Sequence, residues 1–449
     1  MSELKINGIS ITVEDGATVL EAAETCSVEI PTLCHLKECS PETSCMLCVV
    51  KNVATGQLIP SCSAKAADGM EIDTECDEVQ AARRDILNLL LSEHVGDCQA
   101  PCQRICPAHL DIPLMLREIE RGNLESAAWI ARRDLAIPVA LGHICPAPCE
   151  KGCRRAQVDS AITIREMHRD IGRACSPKAP RTARRAVPTL GKTVAVIGSG
   201  AAGLSSAWKL LQMGYTCTVF DEAPVAGGSL REQDELPADV LDAEIEWLRA
   251  AGIQFELSTA PNPSDFDAVV EPEEHKLAVI AVAKGKAAAL KLAGVPETPH
   301  FDFKLGKLRD PEARELLKNC SVADGSSEAA RCLHCDCRKP LSCKLRKYAQ
   351  QYGADQREFP ADERNHVQLI GAGESVIFEP GKCIKCGLCV KISKRAGEKL
   401  GVTFTGRGYN TQVAVPFGEA LQDGLQTVAK ECVEACPTGA LAFRDGEDG

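Results

Sequence analysis

Two cysteine triplets constrain this chain more than any other stretch: Cys98, Cys102 and Cys106 in HVGDCQAPCQRICP, and Cys145, Cys149 and Cys153 in GHICPAPCEKGC. Each repeats at intervals of four and sits among prolines that stop a helix from running on. Thiolate is a soft ligand that selects iron-sulfur clusters, zinc or copper(I), and a cubane takes four such ligands. Six thiols are too many for one cluster and two short of two, so His94 and His168 are the nearest candidates to complete the count. Buried free cysteines on helix faces are the weaker account of two matched triplets.

At 449 residues the chain has material for three or four domains. Its 25 cysteines arrive in tight CxxC and CxxxC groups, the spacing of ligands around an ion or cluster rather than of a disulfide framework. The sequence opens with no charged, apolar leader and holds no apolar run long enough to span a bilayer. A cytoplasmic protein in a reducing compartment, with no membrane segment, is therefore expected. A net charge of -12 argues against nucleic acid as the main partner, because no basic stripe is left to neutralise phosphates.

Residues 1–77 are expected to form a first domain. LKINGISITV alternates apolar and polar residues around Asn7-Gly8, a strong hairpin signal, and a helix is expected from about Ala17 to Thr25. Cys34, Cys45, Cys48 and Cys62 follow as C-x10-C-x2-C-x13-C, which suits a [2Fe-2S] cluster in a β-grasp ferredoxin, with structural zinc as the competitor. Cys26, Cys39 and Cys76 fall outside this spacing. Through SCMLCVV, DGMEI and VQAARRDILNLLLSEH, this part resembles the N-terminal domain of the large iron-sulfur subunit of NADH dehydrogenase (respiratory complex I) and of related hydrogenases and formate dehydrogenases.

Residues 78–175 are expected to form a helical double [4Fe-4S] domain. A helix over Glu78–Ser92 places Val79, Ile86, Leu87, Leu90 and Leu91 on one stripe that should pack back on the ferredoxin. The complex I resemblance implies that His94, four residues before Cys98, ligates a cubane. CQRICPAHLDIP, GNLESAAWIARRDLAIP, GHICPAPCEKGCRRA and AITIREMH then resemble the helical domain of the glutamate synthase small subunit and dihydropyrimidine dehydrogenase. That resemblance implies two interleaved clusters. Cys98, Cys102 and Cys153 would hold one, with His94 replacing a cysteine that is missing here. Cys106, Cys145 and Cys149 would hold the other, with His168 or its rival Glu166 as fourth ligand.

Residues 176–188, rich in proline and basic side chains, are expected to be a linker. In 189–310, KTVAVIGSGAAGLSSAWKLLQMGYTCTVFDEAP carries Gly198, Gly200 and Gly203 between strand and helix, Asp221 at the end of the next strand, and then Gly227-Gly228. The glycines let backbone approach a pyrophosphate at a helix N-terminus, and the acid accepts a ribose hydroxyl. The same resemblance places FAD here, in a Rossmann-like fold truncated by loss of its second nucleotide module. IGAGES at 370–375 lacks the third glycine and a following helix pattern.

In 311–360, Cys332, Cys335, Cys337 and Cys343 form a four-cysteine segment among basic residues, expected to wrap zinc or a further [4Fe-4S] cluster, with Cys320 as an outlying candidate. In 361–449, Cys383, Cys386 and Cys389 form CxxCxxC, and Cys436 precedes Pro437, the bacterial-ferredoxin pattern for one cubane with Cys432 spare. GVTFTGRGYNTQVAVPFGEAL resembles the matching segment of complex I and bidirectional hydrogenase subunits.

The expected fold class is multidomain α+β and α/β: a β-grasp ferredoxin, a helical double-cluster domain, a truncated Rossmann-like FAD domain and a C-terminal bacterial-ferredoxin-like domain. The expected cofactors are one [2Fe-2S], three or four [4Fe-4S], FAD, and zinc as the alternative at the four-cysteine segment. No catalytic residue is assigned, since no GxSxG, Walker or HExxH motif occurs. The leading reading is an electron-transfer subunit working with a catalytic oxidoreductase subunit and an NADH-dehydrogenase-like flavin subunit. The systems it would serve are NAD-linked formate dehydrogenase, hydrogenase or a bifurcating transhydrogenase. A self-contained NAD(P)H-dependent flavoenzyme of glutamate synthase small-subunit type and a zinc-bearing assembly scaffold are the alternatives.

Overall fold

The computed structural model describes residues 1–175, 190–295, 328–339, 341–359, 368–371 and 374–444. The expected linker at 176–188 and Cys320 lie outside them. The described residues form two compact units: those up to Cys98 and from Asp336 onward make one, and those from Gln99 to Cys335 the other.

In the first unit, strands β1 (Ser2–Ile6) and β2 (Ile9–Val13) pair antiparallel, with Ile6 opposite Ile9. Only Asn7 and Gly8 are left for the turn, and both take the positive φ that a two-residue hairpin of this hand demands. With β3 (Val49–Asn52), β4 (Leu58–Pro60) and β5 (Glu71–Asp73) they make a five-stranded sheet ordered β2-β1-β5-β3-β4, in which β1 and β5 run parallel. Helix α1 (Val19–Thr25) begins at a capping box between Thr18 and Glu21. It buries Val19, Leu20, Ala22 and Ala23 against Leu4, Ile6, Val50 and Ile72.

Helix α2 (Asp77–Glu93) carries the expected stripe: Val79, Leu87 and Leu91 are buried. Leu87 and Leu91 share a core with Leu33, Leu47, Leu345 and Tyr348. Arg83, also buried, donates to Val49 O at 2.9 Å and to Tyr352 Oη at 3.0 Å, so its charge does not sit unpartnered in that core. Further along the same unit, strands Val376–Phe378 and Leu441–Phe443 pair antiparallel, and Ile370 bridges to Phe378. The IGAGES stretch thus begins as a strand edge, in keeping with its unfinished glycine pattern. Helices Leu388–Ala396 and Ala429–Ala435 close the domain over Ile392, Val402, Val413, Leu425 and Val433.

The second unit joins a helical half to a parallel sheet. Its helical half comprises α3 (Pro101–Ile105), α4 (Ile112–Glu120), α5 (Leu124–Asp134), α6 (Pro138–Ile144), α7 (Pro148–Lys151) and α8 (Ile164–Gly172). Four of the six open with proline in the first turn, where its missing N–H costs nothing. Strands β6 (Thr193–Ile197), β7 (Thr216–Asp221), β8 (Gln254–Leu257) and β9 (Ala268–Val270) form a parallel sheet ordered β8-β7-β6-β9. The two halves share one core. Arg132 of α5 forms a buried pair with Glu244 at 2.6 Å, lies over the Trp247 ring at 4.3 Å, and its carbonyl accepts from Trp208 Nε1 at 2.6 Å.

Candidate metal centres

The N-terminal thiols are all buried and act on one another in two pairs, Cys34 with Cys45 and Cys48 with Cys62. Cys45 is the largest influence that holds Cys34 down at about 5, and Cys62 the largest that holds Cys48 at about 7, whereas Cys45 and Cys62 are pushed up. A [2Fe-2S] cluster binds two thiolates on each iron, so four buried thiols grouped in twos are a donor set that fits it.

The C-terminal thiols line a cavity of about 300 Å³. Cys383, Cys386, Cys389 and Cys436 face it together with Leu388, Val402, Val413, Val415 and Leu425. Burial among these apolar walls raises all the thiols whose titration shifts, Cys383 to about 11. Lys385 takes a positive φ, which turns its N–H onto Cys383 Sγ at 3.4 Å. An amide aimed at a ligating sulfur stabilises its negative charge and tunes a cluster's potential. Cys432, outside the ferredoxin spacing, lines the cavity as well, and this thiol set within largely apolar walls fits a cubane.

In the second unit, Cys106, Cys145 and Cys149 line a small cavity with His168. His168 is buried, and its Nδ1 lies 3.0 Å from Pro138 O. The carbonyl makes Nδ1 the protonated nitrogen and leaves Nε2 with its lone pair, the arrangement of a metal-ligating imidazole. Burial depresses its pKa to about 4, so the ring is neutral. The rival Glu166 is exposed on the same helix. The donor set therefore fits a second cubane with His168 as fourth ligand.

The remaining expected ligands are divided in a way the sequence did not indicate. Cys332 and Cys335 belong to the second unit, Cys337 and Cys343 to the first. The boundary likewise separates Cys98, in the first unit, from Cys102 and Cys153, in the second. Within the first unit, burial pushes Cys98 and Cys343 up to about 12, and the charge of Cys337 is the next cause for both. Within the second, burial raises Cys102, followed by the charges of Cys332, Cys335 and Cys153. Among the described residues, no three His, Cys, Asp or Glu side chains grip a single metal ion, whose four thiolates would stand within about 4 Å of one another. His94 caps the C-terminus of α2, where Gln356 Nε2 donates to its carbonyl.

The Rossmann-like half keeps the dinucleotide turn. A Cβ on Gly203 would stand 1.8 Å from Gly198 O, so only glycine lets helix Ala201–Gln212 start there. The polar groups of the turn, however, are engaged by the chain itself. Asp221 accepts from Ser199 N–H at 2.8 Å and from Ala223 N–H at 2.9 Å, and Ser199 Oγ accepts from Gly227 N–H. Gly228 packs on Gly200. The carboxylate of Glu274 accepts from Ala202 N–H at 2.9 Å and covers Gly200, lying where a pyrophosphate would lie at this helix N-terminus. Glu274 thus sits on the anion position that a dinucleotide would need. Glu274 was not singled out in the sequence, because an acid in an EPEEH run carries no spacing signal.

Three stretches match models of known domain families: residues 1–76 the 2Fe-2S iron-sulfur cluster binding domain, residues 90–177 the 4Fe-4S cluster domain II of dihydropyrimidine dehydrogenase, and residues 196–258 the NAD(P)-binding Rossmann-like domain. These matches give the chain a 2Fe-2S domain, a 4Fe-4S domain and a Rossmann-like domain in succession. Among its relatives is the NADP(+)-dependent formate dehydrogenase subunit beta of Moorella thermoacetica, 39% identical over 184 residues, which are 36% of this chain and 26% of the relative. The NADPH-Fe(3+) oxidoreductase subunit beta of Geobacter sulfurreducens is 30% identical over 39% of this chain and 28% of its own. The NAD-dependent dihydropyrimidine dehydrogenase subunit PreT of Escherichia coli is 26% identical over 63% of this chain and 70% of its own. The chain thus covers only about a quarter of the length of the first two relatives. A solved NAD+-reducing [NiFe]-hydrogenase aligns over 98% of this chain and 87% of that one at 14% identity and a TM-score of 0.41, too loose a likeness to argue from.

Proposed function

We propose that the chain is an iron-sulfur electron-transfer subunit of a multisubunit oxidoreductase in the reducing cytoplasm, of the formate dehydrogenase, hydrogenase or transhydrogenase kind. Its partners are a catalytic subunit and an NADH-dehydrogenase-like flavin subunit. One observation carries this reading: a single apolar core of the first unit holds Cys34 and Cys45 of the N-terminal set and Cys386 of the C-terminal set, with Cys343 packed against it. The charge of Cys34 is among those that raise Cys386. A relay needs redox centres that follow one another closely, and cysteines of both sets sharing one apolar core support that reading.

When bound, such clusters supply one-electron chemistry at potentials set by ligand type, hydrogen bonds and solvent exposure. The chain's residues hold and tune them: Cys34, Cys45, Cys48 and Cys62 a [2Fe-2S]; Cys383, Cys386, Cys389 and Cys436 a [4Fe-4S]; and Cys106, Cys145, Cys149 and His168 another. The amide of Lys385 and the carbonyl behind His168 tune them through charge and basicity. FAD and a self-contained flavoenzyme are not adopted, because Glu274 holds the anion position of the dinucleotide turn. Relatives named as formate dehydrogenase and NADPH-Fe(3+) oxidoreductase subunits support a relay between a nucleotide-linked partner and a second catalytic subunit.

The test is an anaerobic purification of the full chain, with and without co-purifying partners. Dithionite reduction should develop electron paramagnetic resonance signals of one [2Fe-2S] and several [4Fe-4S] centres. NAD(P)H should reduce them only when a flavin partner is present. Rapid dye reduction by NADPH with the isolated chain would overturn the reading.

A further inference from the structure

We propose that the Cys332–Cys343 segment does not wrap one metal but gives two thiolates to each of two [4Fe-4S] clusters: Cys332 and Cys335 complete a set with Cys102 and Cys153 in the second unit, and Cys337 and Cys343 complete a set with Cys98 and His94 in the first. This deepens the relay reading and rests on it.

The first support is the loop itself. In Cys332-Leu-His-Cys335, His334 takes a positive φ and its N–H points at Cys332 Sγ at 3.4 Å. In Cys383-Ile-Lys-Cys386 of the ferredoxin domain, Lys385 does the same, with its N–H 3.4 Å from Cys383 Sγ. A non-glycine residue in the left-handed region is uncommon, and two CxxC loops sharing it at the same position share a ligand-loop conformation. The 332–335 loop is also fixed beside the second unit's cysteines. Buried Arg155, two residues past Cys153, donates to Arg331 O at 3.0 Å. Arg331 returns to Asp159 at 3.0 Å and Ser160 O at 2.8 Å, while Glu328 accepts from Thr163 N–H at 3.0 Å. His334 Nε2 meets Glu120 at 3.2 Å. Cys102, Cys153 and Cys332 all pack on one core.

Two residues on, the chain is laced to different partners. Lys339 Nζ donates to Val433 O at 2.8 Å and Cys436 O at 2.9 Å, and Leu345 N–H donates to Pro437 O at 3.1 Å. Cys337 Sγ lies against Gly439 and Cys343 Sγ lies 3.8 Å from Pro437 O, so both thiols face the Cys436–Gly439 turn. The stem of buried Lys382 covers Gly96, two residues before Cys98, and also reaches Gly439, against which Cys337 lies. His94, at the end of α2, precedes Cys98 by one turn's length of chain. Each group is thus held by its own hydrogen bonds, and the loop-like 332–335 and the wider-spaced 337–343 are two half-sites rather than one whole.

The full chain should be purified anaerobically as Cys102→Ser, Cys332→Ser, Cys98→Ser and Cys337→Ser. Iron, acid-labile sulfide, zinc and paramagnetic resonance are then measured. Native protein should hold about eighteen iron. The first two variants should each lose the same signal and about four iron, and the last two a different signal and about four iron. Cys332→Ser and Cys337→Ser removing one and the same signal, or releasing zinc, would overturn the grouping. Should a serine variant not fold, His94→Cys serves instead: a shift confined to the signal that Cys337 controls supports the grouping, and a shift in the signal that Cys332 controls overturns it. Correct pairing of losses in a chain that exchanges no electrons with any partner would sink the relay reading while upholding the grouping.

Discussion

Gly439 offers the most direct test of where Cys337 belongs. An alanine there needs no unusual backbone, yet its Cβ would stand 2.3 Å from Cys337 Sγ. Ordinary contact between non-bonded heavy atoms lies near 3.5–4.0 Å, so the sulfur must retreat by more than about 1 Å. The other nearby atoms, Lys339 Cβ and Lys382 Cδ at 3.9 Å, are already at comfortable distance, which confines the conflict to the thiol. Metal–ligand distances tolerate only about 0.2 Å, so a displaced Cys337 cannot remain a ligand. Overpacking of this kind costs roughly 1–3 kcal/mol, too little to unfold the domain. Gly439→Ala should therefore lose about four iron and one paramagnetic signal, the one that Cys98→Ser also loses, while the [2Fe-2S] signal stays. Iron analysis and low-temperature resonance of the dithionite-reduced protein decide it. A variant with full iron and unchanged spectra would refute the placement of Cys337 as a ligand.

Removing the carboxylate of Glu244 should be far more damaging, because Arg132 is then left charged and buried: Glu244→Ala should cost about 3–5 kcal/mol, read from urea unfolding followed by the fluorescence of Trp208 and Trp247. His168→Ala should remove or shift one cubane signal of the second unit, whereas Glu166→Ala should leave all signals in place, as resonance spectra will show. Glu274→Ala vacates the N-terminus of helix Ala201–Gln212, and the lost charge–dipole contact at this exposed position costs only about 0.3–1 kcal/mol. That variant should bind ADP more tightly than the native chain by calorimetry. Equal affinity would mean that Glu274 is not what closes the turn.

Local signals made much of this molecule legible. Asn7-Gly8 between alternating residues produced its hairpin, and the α2 stripe buried Val79, Leu87 and Leu91 as its period requires. CxxCxxC with a distant Cys-Pro picked out four thiols that line one cavity, though Cys432, set aside as spare by the spacing, lines it as well. What stayed hidden depends on contacts without sequence periodicity. Nothing in the spacing of Cys332, Cys335, Cys337 and Cys343 says that the chain changes partners between the second and third. The reason is Lys339, whose buried ammonium finds its acceptors in carbonyls near Cys436. Arg83 reaching Tyr352, and Glu274 reaching back to Ala202, are likewise pairings that only a folded chain reveals.

The division of the chain at Cys98 and again at Cys335 also sets an order of birth. Leu87 and Leu91 need Leu345 and Tyr348 to cover them, and Arg83 needs Tyr352. During synthesis the ribosome must finish the whole intervening unit before those residues exist. Until then the nascent N-terminal portion waits with an apolar stripe uncovered and a cationic side chain unsatisfied, at risk of sticking to its neighbours. The loop that must close is more than two hundred residues long, yet if those residues have already condensed into their own unit, the ends have far less conformational freedom left to lose. A chain truncated shortly after Cys335 should therefore accumulate with its second unit formed and its first unfinished, as limited proteolysis would show.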